Sequence, residues 1–313
     1  MSRPLILSIQ SHTVHGYVGN KCSTFPVQLL GINIDPLNSV QLSNHKAYPK
    51  GAKGYILQGD QLDDLIAGLR LNDIFATYTH LLTGYIASAS FLDRIVDIAS
   101  SLRAVNPACS YFCDPVLGDH GKLYVPAELV DLYRTKILPI ATVLTPNQFE
   151  CELLTGMKIN CVEDAWAACT KLHGFGIAVV VITSCLFGDR MVLLASRVQD
   201  DCAGVDGKRL RSASSLDAAA AKERYMVDIP VIQGRFSGTG DLTAALLLAW
   251  TIKLGEARLD QVLAHTCNSV RSVVLASRAS FLAGTNPFCE LCLVECAQDI
   301  ATPAQELRVQ KCN

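Results

Sequence analysis

Short apolar runs alternate along this chain with longer stretches whose apolar residues recur every three or four positions. Residues 5–9, 34–42, 80–82, 110–113, 141–144 and 178–183 read as strands, the last an apolar run suited to burial on both faces. Residues 22–30, 61–71, 89–105, 127–137, 148–154, 162–173, 242–254 and 259–282 read as helices. In 61–71, for instance, Leu62, Leu65, Ile66 and Leu69 share a face, and Pro126 stands just ahead of 127–137. Residues 191–195 and 226–232 read as paired or edge strands. Strands and helices alternating at these lengths predict an α/β fold with a mostly parallel sheet flanked by helices. We expect one domain over residues 1–313. Residues 197–224 break the pattern: they are polar, simple in composition and carry an alanine run, so they read as a surface insertion with a helical turn at 218–221.

Composition narrows the function classes. Half of the 313 residues are apolar, and 27 Lys and Arg against 29 Asp and Glu give a net charge of −2. That balance speaks against a nucleic-acid partner, and no apolar stretch approaches the roughly 20 residues of a membrane helix. Thirteen scattered cysteines, many inside apolar runs, read as reduced thiols of a cytoplasmic protein, and no leader peptide is expected.

Ligands of open α/β sheets bind at the carboxyl ends of the strands. Following the strands come Gln10-Ser11-His12, Thr83-Gly84-Tyr85, Asp114 through Asp119, Thr145-Pro146-Asn147 through Glu150, and Thr183-Ser184. Carboxylates and hydroxyls at one rim suit a hard cation such as Mg²⁺. Each has a plainer reading too: Asp114 and Asp119 bracket a turn, and Asn147 with Glu150 forms a capping box.

The sharpest segment is Gly238-Thr239-Gly240-Asp241, directly before an apolar helix. Two glycines let successive N–H groups converge, and the helix start adds positive potential, so the segment suits a phosphate or a developing oxyanion. Asp241 reads as an N-cap or as the base that deprotonates an attacking hydroxyl. Competing motifs fail. Gly16 to Lys21 is too short for a Walker A loop, and Gly238 lacks the third glycine of a dinucleotide fingerprint. Cys289, Cys292 and Cys296 have no second pair for zinc, and their spacing predicts one helix face. His12 and His15 lack a third ligand, and His173 and His265 read as ordinary helical residues.

In these residues the chain resembles the ribokinase-like superfamily and, within it, the pyridoxal kinase family. The matching segments, in order from residue 8 to about 252, include Ser8-Ile-Gln-Ser-His12, Gly16-Tyr-Val-Gly-Asn20, Ser43-Asn-His45, Leu82-Thr-Gly-Tyr85, Cys113-Asp-Pro-Val-Leu-Gly-Asp119, Thr145-Pro-Asn-Gln-Phe-Glu150 and Gly238-Thr-Gly-Asp241. The resemblance implies a ribokinase-like fold without a separate lid domain. It implies transfer of the γ-phosphoryl of ATP to the 5′-hydroxyl of pyridoxal, pyridoxine and pyridoxamine. Asp241 would be the base, and Gly238, Thr239 and Gly240 the anion hole. Ser11, Lys46, Tyr85 and Asp241 would line the vitamer pocket. Asp114, Asn147, Glu150, Thr183, Ser184, Thr239 and Gly240 would lie around ATP. Asp119 would face Mg²⁺, with Asp114, Thr145, Glu150 and Thr183 around a monovalent cation, K⁺. A cytoplasmic homodimer is implied as well. Lys46-Ala47 stand where many members have Thr and Gly, which puts a cation in place of a hydroxyl. The alternatives are another small-molecule kinase of the superfamily, such as a hydroxymethylpyrimidine kinase, and a non-catalytic binder of pyridoxal phosphate or nucleotide.

Overall fold

The computed structural model describes residues 3–198 and 222–312. The first half of the chain runs β1 (Leu5–Thr13), α1 (Gly19–Leu29), β2 (Asn33–Leu42), β3 (Gly54–Ile56), α2 (Gly59–Leu71), β4 (His80–Thr83), α3 (Ala89–Val105), β5 (Ser110–Cys113), a small hairpin of β6 (Gly118–Asp119) and β7 (Lys122–Leu123), and α4 (Glu128–Leu132). The second half runs β8 (Val143–Leu144), α5 (Gln148–Thr155), α6 (Val162–His173), β9 (Val179–Phe187), β10 (Arg190–Val198), β11 (Lys222–Ile229), α7 (Thr239–Leu254), α8 (Leu259–Leu282), α9 (Ala297–Ala301) and β12 (Val309–Cys312).

Among the described residues one ten-stranded sheet has the order β12-β11-β10-β9-β8-β5-β4-β1-β2-β3. The six strands from β9 to β2 pair in parallel, and the outer strands add antiparallel at both ends. Alternate residues of the central strands enter two cores. Leu7, Leu81, Tyr111, Leu144 and Val180 face one core with α2 to α6. Ile6, Leu82, Phe112, Val143 and Val181 face the other with α1, α7, α8 and α9. This is why the strands read as unbroken apolar runs: both pleat faces are covered.

Local signals explain the elements. The apolar Phe91, Leu92, Ile95, Ile98, Ala99 and Leu102 give α3 its buried face, and extended Asn106 ahead of Pro107 ends it. Helix α7 is apolar on every side and buried from Leu242 to Trp250, which fixes its first turn rigidly in the fold.

Several expectations need correction. Residues 127–137 are a short α4 followed by a π-helical turn, Tyr133–Ile137, closed by Leu138 N–H on Tyr133 O. The segment with Cys289, Cys292 and Cys296 is irregular rather than helical, with Cys289 at φ +55. The three buried thiols lie against α8, near Ser277 O, Ser280 Oγ and Ser272 O. The ends of the expected 197–224 insertion belong to β10 and β11, which pair with each other. The rest of it, including the proposed turn at 218–221, lies outside the described residues.

Candidate active site

The parallel strands bring their carboxyl ends to one rim. Backbone bonds extend the ladder past the strands, from Asp114 N–H to Thr83 O (2.9 Å) and from Thr145 N–H to Cys113 O (3.0 Å), so Asp114 and Thr145 emerge side by side. Two irregularities re-aim side chains there. Gln10 faces Asn38 while Ser11 faces Val40, and Ser39 is the bulged residue. On the other side Thr183 and Ser184 together oppose Leu193. Bulges of this kind redirect residues at sites.

Beneath Ser11 lies a buried polar network built from the Ser8-to-His12 and Gly16-to-Asn20 segments. Gln10 Nε2 donates to Ser8 Oγ and Ser23 Oγ (both 2.9 Å). Ser8 Oγ donates to Asn20 Oδ1 (2.7 Å), and Asn20 Nδ2 donates to Leu37 O and Asn38 Oδ1 (both 2.8 Å). These bonds tie the start of α1 to the ends of β1 and β2. Buried networks of this sort rigidify what they join, here with Gln10 Oε1 left without a partner among the described residues.

Two glycines make the cradle possible. Gly238 precedes α7 at φ +90, and a Cβ there would overlap Tyr17 O. Gly19 sits at φ +54, with Ser11 O and Oγ filling the space a side chain would need. The first α7 bond is Leu242 N–H to Gly238 O (2.9 Å), so the N–H groups of Thr239, Gly240 and Asp241 have no partner within the helix. They open toward the rim with the positive end of a buried helix behind them. Asp241 Oδ2 accepts the Gly19 N–H at 2.8 Å. Burial pushes the Asp241 carboxyl up to about 6, with the Gly19 N–H pulling it back. Asp241 is therefore in the first turn of α7 rather than its N-cap, and its carboxylate bridges two helix starts.

Asp114 lies under the cradle, only 4% exposed, its Oδ2 3.8 Å from the position a Gly240 Cβ would take. Burial first, then the charges of Glu150 and Asp241, push its carboxyl well above the usual range, while Thr145 draws it down. Asp114 Oδ2 and Thr145 Oγ1 are buried, and although the Thr145 hydroxyl lies near enough to ease the Asp114 charge, neither atom makes a hydrogen bond of full geometry among the described residues. Orphaned hard oxygens of this type fit a cation. Among the described residues no three of His, Cys, Asp and Glu stand close enough to hold a metal ion by themselves, so a cation here would need hydroxyl, backbone or phosphate oxygens as well.

Glu150 and Asn147 do form the capping box. Asn147 Oδ1 accepts the Glu150 N–H (2.9 Å) and Glu150 Oε2 accepts the Asn147 N–H (2.9 Å). Glu150 Oε1 also accepts from Leu117 (2.9 Å) and Gly118 (3.3 Å), and Asn147 Nδ2 donates to Gly118 O (2.8 Å). The two side chains thus hold the loop leading to Asp119. Burial raises the Glu150 carboxyl against these three N–H groups. Asp119 stands apart in the β6–β7 hairpin, with Oδ1 accepting the His120 N–H (2.8 Å). Thr183 Oγ1 donates to Pro146 O (3.4 Å), one strand beyond the carboxylates.

On the opposite side Lys46 Nζ donates to Tyr85 Oη (3.1 Å) and lies 5.4 Å from that ring's centre. Tyr85 O accepts from Ser39 Oγ (2.7 Å). The sequence reading placed Ser11, Lys46 and Tyr85 in one pocket; Lys46 and Tyr85 do meet, and Ser11 packs on Gly19 beneath Asp241. It missed the Gly19 N–H, whose signal was a second glycine ahead of a helix. It also missed Glu290, one of two glutamates in a Cys- and Leu-rich stretch, which contacts Tyr17, His45 and Tyr48.

Residues 76–256 match a family model described as phosphomethylpyrimidine kinase. The chain is 46% identical over 310 residues to a pyridoxal kinase of Arabidopsis thaliana, covering 98% of this chain and 94% of the relative. It is 39% identical over 316 residues to a pyridoxal kinase of Homo sapiens, with 95% of each covered. Its fold superposes on a pyridoxal kinase from Leishmania donovani in complex with ADP and pyridoxamine, with a TM-score of 0.86, 30% identity and 99% of each chain covered.

Proposed function

The chain belongs to the pyridoxal kinase family, and from that premise we propose that it transfers the γ-phosphoryl group of ATP to the 5′-hydroxyl of pyridoxal, with pyridoxine and pyridoxamine as further acceptors. The observation that carries the reading is the Asp241 carboxylate at the mouth of an open helix start. A base whose pKa lies near 6 is mostly ionised at neutral pH yet basic enough to take a proton in the transition state. Asp241 Oδ1 or Oδ2 receives the proton of the 5′-hydroxyl as its oxygen attacks. The N–H groups of Thr239, Gly240 and Asp241 meet the phosphoryl oxygens as charge develops on them, at no cost of reorganisation. Gly238 supplies the turn that points them.

Ser11, Lys46 and Tyr85 would hold the vitamer, with the Lys46 ammonium meeting an anionic ring oxygen or the product phosphate. Asp114, Asn147, Glu150, Thr183 and Ser184 would border ATP. Asp119 would hold Mg²⁺, and Asp114, Thr145, Glu150 and Thr183 a monovalent cation, K⁺; the orphaned Asp114 and Thr145 oxygens support this. When bound, these ions supply positive charge against the phosphates. The rest of the reading is a single domain over residues 1–313, acting in the cytoplasm as a homodimer. No helix among the described residues is long and apolar enough to cross a membrane.

The test is incubation of the purified protein with ATP, Mg²⁺ and each vitamer, following the absorbance of the aldehyde phosphate from pyridoxal and ADP release from all three. ADP release that requires a hydroxymethylpyrimidine instead would support the alternative kinase. Binding of ligands without ADP release would support the non-catalytic binder.

A further inference from the structure

The carboxylate of Glu290 is 242 residues from Tyr48 and 273 from Tyr17 in sequence, yet it accepts from both. Tyr48 Oη donates to Oε1 at 2.6 Å and the Tyr17 N–H to Oε2 at 3.0 Å. His45 Nε2 stands 3.1 Å from Oε1, and the His45 and Glu290 side chains are only 12% and 11% exposed. Glu290 is itself pinned: its N–H donates to Asn286 Oδ1 (2.9 Å) and its C=O accepts from Asn286 Nδ2 (2.8 Å). Tyr48 stacks on Phe288 of the same segment, ring centres 4.2 Å apart. Gly16, at φ +85, has no side chain because the Glu290 carboxylate occupies that space.

Both branches from Glu290 end at the site. Through Tyr17, whose C=O packs against Gly238, the carboxylate sets the height of the phosphate cradle. Through His45 and Tyr48 it sets the loop carrying Lys46, and Lys46 reaches Tyr85. A turn of the 45–48 loop would change the vitamer side and a shift of Tyr17 the cradle, and one carboxylate restrains both.

We propose that Glu290 is a positioning residue of the kinase reaction, holding the vitamer-side loop and the phosphate cradle in register with each other. The proposal rests on the pyridoxal kinase reading. A plain structural staple would lower stability but leave the folded enzyme's parameters alone. Register control instead divides between them: the loop branch acts on the KM for pyridoxal and the cradle branch on kcat.

The experiment uses the full chain and the variants Glu290→Ala, Glu290→Gln and Tyr48→Phe. It measures kcat, KM for pyridoxal, ATP affinity without vitamer, and Tm. Tyr48→Phe is expected to raise KM for pyridoxal about three- to tenfold with kcat little changed, because only the loop branch is cut. Glu290→Ala is expected to lower kcat as well, for a loss in kcat/KM of about thirtyfold or more, with ATP affinity within about twofold. Glu290→Gln, which keeps an acceptor but not the charge, should fall between wild type and Glu290→Ala, and Tyr48→Phe should add less than its full effect to it. Unchanged KM and kcat in Tyr48→Phe and Glu290→Gln, or full additivity between them, would overturn the proposal even if Glu290→Ala does not fold. A wild-type protein that does not phosphorylate pyridoxal would instead overturn the functional reading beneath it.

Discussion

Asp114 and Glu290 are both carboxylates withdrawn from water, and the fold treats them in opposite ways. Glu290 meets Tyr48, His45 and the Tyr17 N–H, and these partners hold its carboxyl below the usual range despite burial. Asp114 has an orphaned oxygen, a neighbouring carboxylate in Glu150 and a second in Asp241, and its carboxyl is pushed well up. A buried anion with donors on every side is a finished piece of structure; one without them is costly unless something positive arrives. On the proposed reading, the contrast separates a vitamer side, pre-formed by the chain's own groups, from a phosphate side that would complete itself with ligands. Asp241 stands between them, with one donor and a carboxyl near 6.

The largest effect should come from the carboxylate between the two sides. Asp241→Asn keeps the shape and removes the base, so kcat should fall by about 10² to 10⁴ while ATP still binds. Single-turnover and equilibrium binding measurements separate the two, and a variant retaining half of wild-type kcat would rule out the base. Next comes the unfinished side. Asp114→Asn should abolish stimulation by K⁺ and lower kcat/KM for ATP by about tenfold or more. A titration of K⁺ against a bulky organic cation checks it, and an undiminished K⁺ response would erase the contrast with Glu290.

The two carboxylates should also carry opposite pH signatures in Tm, measured without metal ions or nucleotide. Asp114, like Asp241, has a folded pKa above its unfolded one. The folded state holds that proton more tightly, so each costs stability at neutral pH and the cost is relieved as pH falls. Asp114→Asn should therefore gain Tm relative to wild type at pH 8 and lose that gain toward pH 5. Glu290, whose pKa is depressed, contributes stability above the ordinary glutamate range and loses it on acidification. Glu290→Gln should lie below wild type at pH 7 and converge on it toward pH 3. Parallel Tm curves for all three proteins would break the comparison.

The smallest effect is expected at Lys46, which is exposed and donates to Tyr85. Lys46→Thr should raise KM for pyridoxal about two- to fivefold and leave KM for ATP unchanged, the pattern of lost binding to one substrate. An unaltered KM would place the ammonium in solvent.

What the sequence made legible follows from the range of the interactions involved. The spans of α3, α6 and α8 match their apolar periodicity residue for residue, because a helix declares its buried face locally. The carboxyl end of β1 did not: Gln10 to Thr13 look like a loop but continue pairing with β2, where Gln10 Nε2 donates to Ser8 and Ser23 and the Gln10 C=O accepts from Asn20. The short β3, the β6–β7 hairpin and β12 have too few apolar residues to signal a strand. At the site Asp241 and its glycines were visible because a helix start and its cradle are contiguous. Glu290 was not, because its partners come from the other end of the chain. The helical spacing of Cys289, Cys292 and Cys296 misled for a related reason: packing on α8 imposed it on an irregular segment.

The bridge between Glu290 and Tyr17 also has a temporal side. Chains emerge from the ribosome N-terminus first, at about 5 to 20 residues per second. Tyr17 and His45 are made early, and Glu290 follows on the order of ten to fifty seconds later, after nearly the whole sheet. Until then the Gly16 turn and the 45–48 loop lack the group that joins them. If Glu290 has the role proposed, a nascent chain can build both cores before substrate and phosphate are held in register, and full activity waits for the segment carrying Glu290 to dock.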